Sequence, residues 1–346
     1  MIRAATIDIH AHMLPEETMR LLGQESPRVA PRLVAQGDGT TIMEIGGKVV
    51  QRPMPRECWD LALRLADMDR HGVDMQAVCA TVHTFFYDQE PALVAACAML
   101  QNDQIAAVVA RHPERFVGLA TLPLQAPQRA ADELKRAMGA LKLRGAQIGS
   151  NVNGKNLDDP ALDPVWAMAN EHKAFILVHP HGEILPGERL KPYYMRNFVG
   201  LPFETTMAGA ALVFGGVIER YPDIAFCLCH GGGFMPYQAG RFVHAWKVRG
   251  EPKARLRGTP EESLARLHYD TIVHAPRALA FLIETAGAEH VLLGSDYPFD
   301  MGEFDCVARV RSLAVAPGVR DAVLGGRARE LLIMPEPEAV RTDRSQ

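Results

Sequence analysis

The sequence lacks the features that mark several classes of protein. It contains no run of five or more like charges, and 37 basic against 41 acidic residues leave a formal net charge of −4. This near balance gives no reason to expect a nucleic acid or an anionic membrane as a partner. There is also no apolar stretch of 18 residues free of charge, so we expect no membrane-spanning segment.

Secretion signals and a disulfide framework are lacking too. The amino terminus shows no basic segment followed by an apolar one, which predicts a cytoplasmic protein without a signal peptide. Only six cysteines occur among 346 residues, and they lie mostly in apolar runs. We expect them to be reduced, buried thiols. They are Cys58, Cys79, Cys97, Cys227, Cys229 and Cys306.

What the sequence does contain is a regular alternation of strand-like and helix-like segments. Eight short β-like runs each precede a loop and a helix-like stretch, and hydrophobic residues make up 48% of the chain. Eight successive β/α units predict an α/β fold, a (β/α)₈ TIM barrel. The predicted strands are residues 4–9, 75–81, 116–123, 143–149, 174–180, 225–231, 267–273 and 290–298.

Two longer segments interrupt this pattern. Residues 13–58 hold strand-like pieces broken by glycine-containing turns, which predicts a small antiparallel insertion after strand 1, over the barrel mouth. Residues 181–204 predict a second long loop, beside the fifth strand. We therefore expect a single barrel domain over residues 1–335 and a peripheral tail at 336–346.

The first predicted strand leads directly into two histidines, His10 and His12. Side chains two residues apart on a strand point to the same face, so both imidazoles can meet one point. Neutral imidazole is the commonest protein ligand for metal ions. Asp8 shares this predicted face and is expected to orient a ligand from behind. A single His-x-His pair is nevertheless a weak signal.

Three further candidates stand at the ends of other predicted strands. His179 ends the fifth, His230 the sixth and Asp296 the eighth. In a parallel barrel all carboxyl ends open on one face, so these side chains and the two histidines of strand 1 are expected to converge. Three imidazoles and one carboxylate suit a first-row divalent ion and leave a position for water.

Four motifs together resemble the amidohydrolase superfamily. The last two of them are specific to its metal-dependent decarboxylase branch, typified by 2-amino-3-carboxymuconate 6-semialdehyde decarboxylase. The resemblance covers residues 4–333. The motifs are Asp8-Ile9-His10-Ala11-His12, Val178-His179-Pro180, His230-Gly231-Gly232-Gly233 and Gly294-Ser295-Asp296-Tyr297-Pro298-Phe299.

The resemblance implies a centre with one divalent ion and a separate base. His230 would be a non-ligand general base that activates a metal-bound water, and Asp296 would be both catalytic residue and ligand. The strand-4 segment lacks the lysine that bridges two metals in dinuclear relatives, so we expect a single ion, Zn²⁺ before Mn²⁺ or Co²⁺. The ligands implied are His10, His12, His179 and Asp296.

The resemblance also implies residues that bind a small anionic substrate. Arg52 matches a family arginine that holds a substrate carboxylate, and Arg241 matches one that reaches the neighbouring site of a homodimer. A guanidinium meets a carboxylate through two parallel hydrogen bonds. His181 replaces an aromatic residue of the typical decarboxylase and is expected to contact the substrate, with Phe299 as a pocket wall.

Three functions remain open at this point. The first is a non-oxidative decarboxylase of a small carboxylated aromatic or muconate-semialdehyde-type compound. The second is a metal-dependent hydrolase or hydratase on the same scaffold, acting on a ring-cleavage product. The third is an inactive, metal-binding dimer, against which the intact His230 argues. The two arginines favour an anionic substrate without deciding which bond is broken.

Overall fold

A computed structural model describes residues 6–14, 16–27, 30–181 and 187–332. Parallel strands alternate with helices along most of this length, which defines an α/β protein. Its strands, numbered in chain order, are β1 (Ile7–Met13), β2 (Arg32–Ala35), β3 (Thr41–Ile45), β4 (Lys48–Gln51), β5 (Met75–Ala80), β6 (Phe116–Gly118), β7 (Ala120–Thr121), β8 (Gly145–Gly149), β9 (Asn151–Val152), β10 (Lys155–Asn156), β11 (Phe175–His179), β12 (Ala225–Leu228), β13 (His268–Asp270) and β14 (Val291–Leu292).

Many helices carry proline in the first turn, where its missing N–H costs no hydrogen bond. Single turns of other helical types connect the longer elements. The helices are α1 (Glu16–Glu25), α2 (Leu61–His71), α3 (Pro91–Arg111), α4 (Pro127–Gly139), α5 (Asp163–Glu171), α6 (Leu201–Phe214), α7 (Val217–Arg220), α8 (Cys229–Gly232), α9 (Met235–Val248), α10 (Pro260–Leu264), α11 (Pro276–Ala286), α12 (Cys306–Ser312), α13 (Pro317–Asp321) and α14 (Arg327–Leu331).

The parallel strands lie in chain order, β1, β5 and β6 followed by β7, β8, β11, β12, β13 and β14. Only Leu119 separates β6 from β7. At the far end, the Ile9 N–H donates to the Leu293 carbonyl at 2.8 Å, just after β14, and Ala11 bridges Tyr297 in parallel. The carboxyl ends of the parallel strands therefore share one edge.

Two buried clusters occupy the two faces of these strands. Phe175 and Leu177 belong to a cluster made mainly of strand residues, whereas Ile176 and Val178 belong to one that includes helix residues such as Trp166. This division follows from the alternation of side chains along a strand. All six cysteines are free and buried, as predicted.

β1 departs from regular strand geometry where its two histidines lie. Its register with β5 shifts between Asp8 and Ala11, with Asp8 opposite Gln76 and His12 opposite Cys79. Gln76 and Cys79 are three residues apart on β5, so they point to opposite faces. The irregularity therefore turns Asp8 away from His12, which corrects the expectation of a shared face.

The segment between β1 and α2 contains both a helix and a small sheet. β2, β3 and β4 pair in antiparallel fashion. Met43 and Met54 pack with Leu14, Cys58 and Phe299 in one buried cluster, which joins this sheet to the end of β1. α1 was not predicted from the sequence; Met19, Leu21 and Leu22 are its large apolar residues.

Several predicted boundaries differ from the observed ones. β12 ends at Leu228 and β14 at Leu292, before the predicted ends at 231 and 298, because the chain turns sharply where the site residues lie. Residues 182–186 of the predicted second loop and the predicted tail at 336–346 lie outside the described residues.

One helix is long and apolar enough to cross a membrane by length and composition alone. This is α3, with a mean hydropathy of 1.4, and core helices of globular proteins meet the same criterion. Its Asn102 is buried and donates to the Thr121 carbonyl at 3.0 Å and to Glu133 at 2.6 Å. These contacts are those of a helix packed against strands and a neighbouring helix.

Candidate metal centre

The side chains of His10 and His12 meet at the carboxyl edge of the parallel strands. Their Nε2 atoms lie 3.1 Å apart, and both residues are fully buried. The His12 Nε2 lies 2.8 Å from the Asp296 Oδ1, and the His10 Nε2 lies 3.3 Å from the same oxygen. The structure therefore brings together side chains separated by 284 positions in the sequence.

His179 and His230 complete this cluster. The His179 Nε2 lies 4.0 Å from the Asp296 Oδ1, and the His230 Nε2 lies 3.4 Å from the Asp296 Oδ2. One potential ligand atom each from His10, His179, His230 and Asp296 lies within 4.8 Å of the others. All five predicted side chains thus converge. By distance alone, His230 is as close to the cluster as the predicted metal ligands are.

Partners on the far side of the rings fix how two of these histidines face the cluster. The His10 Nδ1 lies 2.8 Å from the Asp270 carboxylate, and the His179 Nδ1 lies 2.9 Å from the Pro180 carbonyl. Both partners accept hydrogen bonds, so each Nδ1 carries a proton and each Nε2 is the nitrogen left to face a metal ion. Such outer partners are typical of metal-binding histidines.

These residues fit a single metal ion. Three imidazole nitrogens are directed at one carboxylate oxygen, an arrangement that a cation stabilises. Atoms bound to one zinc ion at about 2.0–2.1 Å lie roughly 3–4 Å from each other. The separations of 2.8 to 4.0 Å between the Asp296 oxygen and the three imidazole nitrogens agree with that range.

The electrostatics favour the metal-binding forms of Asp296, His12 and His179. Burial lowers the pKa of His10, but Cys229 and Asp296 outweigh burial and raise that pKa well above its usual range, so a metal ion has to displace a proton from its Nε2. Burial would raise the pKa of the Asp296 carboxyl, but His10, His12 and His230 hold it well below its usual range. Burial lowers the pKa of His12, and burial together with His10 lowers that of His179 much further. A carboxylate and neutral imidazoles are the forms that bind metal.

His230 is presented by a strained turn that follows β12. Its φ is 56°, in the left-handed region that non-glycine residues rarely adopt, and Gly231 follows with φ 61°. Asp270 holds the turn, since its two oxygens accept from the His230 N–H at 2.9 Å and the Gly231 N–H at 2.8 Å. Asp296 itself has φ 57°. Backbone strain of this kind clusters at functional sites.

Aromatic rings stand beside the cluster. The Phe299 ring lies 5.3 Å from the His12 ring and 5.9 Å from the His83 ring. His181 packs edge-on against Phe85 at 5.0 Å and Tyr87 at 5.4 Å. Burial lowers the pKa of His181 to about 4, so its imidazole is neutral near pH 7.

The two predicted arginines lie apart from these side chains. Arg52 follows β4 and Arg241 lies on α9, and both are exposed. Within the described parts of the chain, no hydrogen bond or ion pair joins either arginine to the histidine cluster.

Asp270 is the functional residue that the sequence analysis missed. It ends β13 in the structure, whereas the strand predicted at 267–273 placed Asp270 in its middle, so the strand-end rule did not select it. Arg64 was missed too, although its position between Leu61 and Met68 places it on the apolar face of α2.

An α/β chain with buried imidazoles and a carboxylate at the carboxyl edge of its parallel strands has the architecture of metal-dependent TIM-barrel enzymes. The chain belongs to the amidohydrolase family, whose model, described as Amidohydrolase, matches residues 7–332. It is 35% identical to the 2-amino-3-carboxymuconate-6-semialdehyde decarboxylase of Dictyostelium discoideum, over 95% of this chain and 92% of that protein. The family resemblance predicted from the motifs is confirmed.

Solved structures share the fold. A 5-carboxyvanillate decarboxylase from Sphingomonas paucimobilis aligns with a TM-score of 0.82 at 24% identity, over 96% of this chain and all (100%) of that one. A second, from Novosphingobium aromaticivorans, was crystallised with manganese and a nitrobenzoic acid and aligns with a TM-score of 0.78 at 22% identity, over 95% and 96%. These likenesses imply the TIM-barrel fold that the sequence predicted.

Replacing Asp270 with asparagine is expected to weaken metal binding. The amide oxygen can replace one carboxylate oxygen, but the amide nitrogen then faces two N–H donors, such as those of His10 and His230. We expect the metal dissociation constant to rise about 10–100-fold. Competition with a chromogenic chelator measures it. Asp163→Asn, at a surface ion pair with Arg220, is the control; unchanged metal affinity in Asp270→Asn would contradict this role.

Proposed function

We propose that this chain is a metal-dependent, non-oxidative decarboxylase, a carboxy-lyase acting on a small carboxylated aromatic or muconate-semialdehyde-type substrate. The observation that carries the proposal is the convergence of His10, His12, His179 and Asp296 in a chain of the amidohydrolase family. The 35% identical relative, which bears the name of such a decarboxylase, supports it along nearly the whole length.

We assign His10, His12, His179 and Asp296 as the ligands of one divalent ion. Imidazole and carboxylate donors suit Zn²⁺ and also accept Mn²⁺ or Co²⁺. Zinc is our first choice because a site of three imidazoles with one carboxylate is typical of it. Bound there, the ion would act as a Lewis acid that polarises oxygen atoms and lowers the pKa of water.

His230 is assigned as the group that moves the proton. Its Nε2 faces the cluster, whereas its Nδ1 is buried without a hydrogen-bond partner among the described residues. A neutral imidazole with the proton on Nδ1 accepts a second proton at Nε2 and returns it later. Asp270 and the left-handed turn hold the ring in this position.

Decarboxylation breaks the bond between the carboxylate carbon and the ring or chain carbon. The electron pair stays on that carbon and must be delocalised into a conjugated carbonyl, enol or enamine. A proton then replaces the lost carboxylate, and His230 lies where it can deliver this proton. The rest of the site has to hold the substrate flat and keep its carboxylate in a fixed direction.

Arg52, His181 and Phe299 are proposed to perform this positioning. Phe299 is the most direct candidate, because its ring lies 5.3 Å from the His12 ring. His181 supplies a neutral hydrogen-bonding group beside Phe85 and Tyr87. Arg52, exposed after β4, is assigned to the substrate carboxylate, for which a planar guanidinium is suited.

We further propose that the parallel strands form a closed barrel with an insertion over its mouth. We assign residues 1–335 to one domain in which the parallel strands close into a (β/α)₈ barrel, supported by the hydrogen bonds between β1 and the segment after β14. The segment 13–58 is assigned as an insertion over the barrel mouth, supported by its packing on Leu14 and Phe299.

We also propose a cytoplasmic homodimer in which Arg241 serves the partner's site. Arg241 lies on α9, and Tyr237 on the same helix is 77% exposed. Phe234 and Phe281 are exposed nearby, with the Tyr237 and Phe281 rings 6.2 Å apart. Exposed apolar groups beside a cation fit the surface of a second copy that carries an anionic substrate.

Carbon dioxide release is the direct test of the reaction. Protein loaded with zinc, manganese or cobalt is expected to convert 2-amino-3-carboxymuconate 6-semialdehyde, or a carboxylated phenol such as 5-carboxyvanillate, to a product lighter by CO₂. A chelator should abolish the reaction and added metal should restore it. Mass spectrometry of the product decides, since a product heavier by one water would instead identify a hydratase or hydrolase.

His230→Ala is expected to keep the metal and lose turnover. The substitution removes the proton carrier but none of the four assigned ligands, so kcat should fall about 10²–10⁴-fold. Metal content is measured by elemental analysis and turnover by CO₂ release. His112→Ala, near the start of β6, is the control. Loss of the metal together with activity would show that His230 is itself a ligand.

Arg241 can be tested by mixing two inactive variants. If Arg241 serves the partner's site, a hybrid dimer of an Arg241→Ala subunit and a His230→Ala subunit contains one complete site. Random exchange of subunits should then restore roughly a quarter of the wild-type activity, since half of the dimers are hybrids with one site each. Mixtures that stay inactive, in a protein that sediments as a dimer, would place Arg241 in its own subunit's site.

A further inference from the structure

Arg64 of α2 is completely buried, which is rare for an arginine. Its guanidinium donates to neutral acceptors: the Glu57 carbonyl at 3.2 Å, the Gln76 Oε1 at 3.0 Å and the His12 carbonyl. The charge also lies over the Tyr297 ring, 4.9 Å from its centre. Removing a cation from water costs several kcal/mol unless its surroundings compensate, so this position carries a cost that an apolar residue would avoid.

The partners of Arg64 flank the metal centre. His12, whose carbonyl accepts from Arg64, carries an assigned ligand, and Tyr297 directly follows the ligand Asp296. The two segments are also joined to each other, because the His12 N–H donates to the Tyr297 carbonyl at 2.7 Å. Arg64 therefore holds the backbone next to two ligands from the side opposite to the cluster.

A second connection runs through Gln76 to Asp8. Since the Gln76 Oε1 accepts from Arg64, its Nε2 is directed to the Asp8 carboxylate at 3.0 Å. Asp8 in turn accepts from the His10 N–H at 3.1 Å and from the Ser295 N–H at 3.0 Å. These donors lie at the ligand His10 and immediately before the ligand Asp296.

The hydrogen bond from the His10 N–H to Asp8 lies at the register irregularity of β1. Between Asp8 and Ala11 the strand departs from regular pairing with β5, and the His10 N–H bonds to Asp8. His10 is therefore held by a side-chain carboxylate where a regular strand would use the ladder.

We propose that Arg64 is a positioning residue of the metal centre, acting through the His12 carbonyl, the Tyr297 ring and the Gln76–Asp8 pair. It holds the ends of β1 and of the segment after β14 at the separation at which His10, His12 and Asp296 bind one ion. This inference rests on the proposed function only in that the cluster binds a metal.

The test compares metal binding by folded apoprotein variants. Arg64→Met keeps an unbranched chain but removes the donors and the charge, and we expect a metal dissociation constant about 10–100-fold above that of the wild type. Arg64→Lys should lie between the two, because one ammonium cannot reach all three acceptors. The absorption spectrum of the cobalt-loaded protein should change in Arg64→Met, as it reports the geometry of the ligands.

Arg115→Met is the matched control. Arg115 also donates to backbone carbonyls, of Asp74 at 3.0 Å and Val73 at 3.4 Å, but these lie just before β5, at the end of the parallel strands away from the metal centre. Its loss should lower the melting temperature without changing metal affinity or the cobalt spectrum. Equal losses of metal affinity in both variants would reduce Arg64 to a general structural role and overturn the proposal.

Gln76→Glu keeps the test decisive if Arg64→Met does not fold. Its carboxylate would pair with Arg64 but could no longer donate to Asp8, so metal affinity should fall while the fold is retained. Wild-type metal affinity and cobalt spectra in Arg64→Met or Gln76→Glu would overturn the role of Arg64. A wild-type protein that binds no divalent ion at all would instead overturn the proposed function.

Discussion

The arrangement of the site depends on the close approach of three imidazoles and one carboxylate at one edge of the parallel strands. Three imidazole nitrogens lie 2.8 to 4.0 Å from one carboxylate oxygen of Asp296, in a place from which water is largely excluded. Such a group of acceptors repels itself unless a proton or a metal ion lies between its members. The surrounding structure supplies the rigidity that keeps these side chains together.

That rigidity comes from two buried carboxylates behind the centre. Asp270 accepts from the His10 ring and from the backbone of the turn that carries His230, so one residue orients two side chains of the cluster together. Asp8 holds the backbone of His10 and of Ser295. Each carboxylate accepts several hydrogen bonds. Together they hold the backbone at His230 and next to Asp296, and this stabilises the left-handed conformation of both residues.

Sequence periodicity was sufficient to predict the fold class and to place His10, His12, His179, His230 and Asp296 at one edge, because strand ends are marked by the change from apolar to polar residues. It was not sufficient for the register irregularity of β1, which depends on pairing with β5 and so inverted the predicted face of Asp8. The early ends of β12 and β14 were missed for a similar reason, since strained turns leave little trace in hydrophobic pattern.

The histidine cluster indicates a type of reaction more directly than it indicates a substrate, because the two depend on different parts of the chain. The side chains at the strand ends are positioned by the β/α scaffold, and one such scaffold is compatible with many substrates. The side chains that we propose to contact the substrate belong to the connecting segments: Phe299 after β14, His181 after β11 and Arg52 after β4. These segments vary independently of the scaffold. His181 is neutral and packs against Phe85 and Tyr87, so it offers hydrogen-bonding groups that a hydrocarbon ring at this position would lack. The chemistry that we propose at the metal does not depend on this residue.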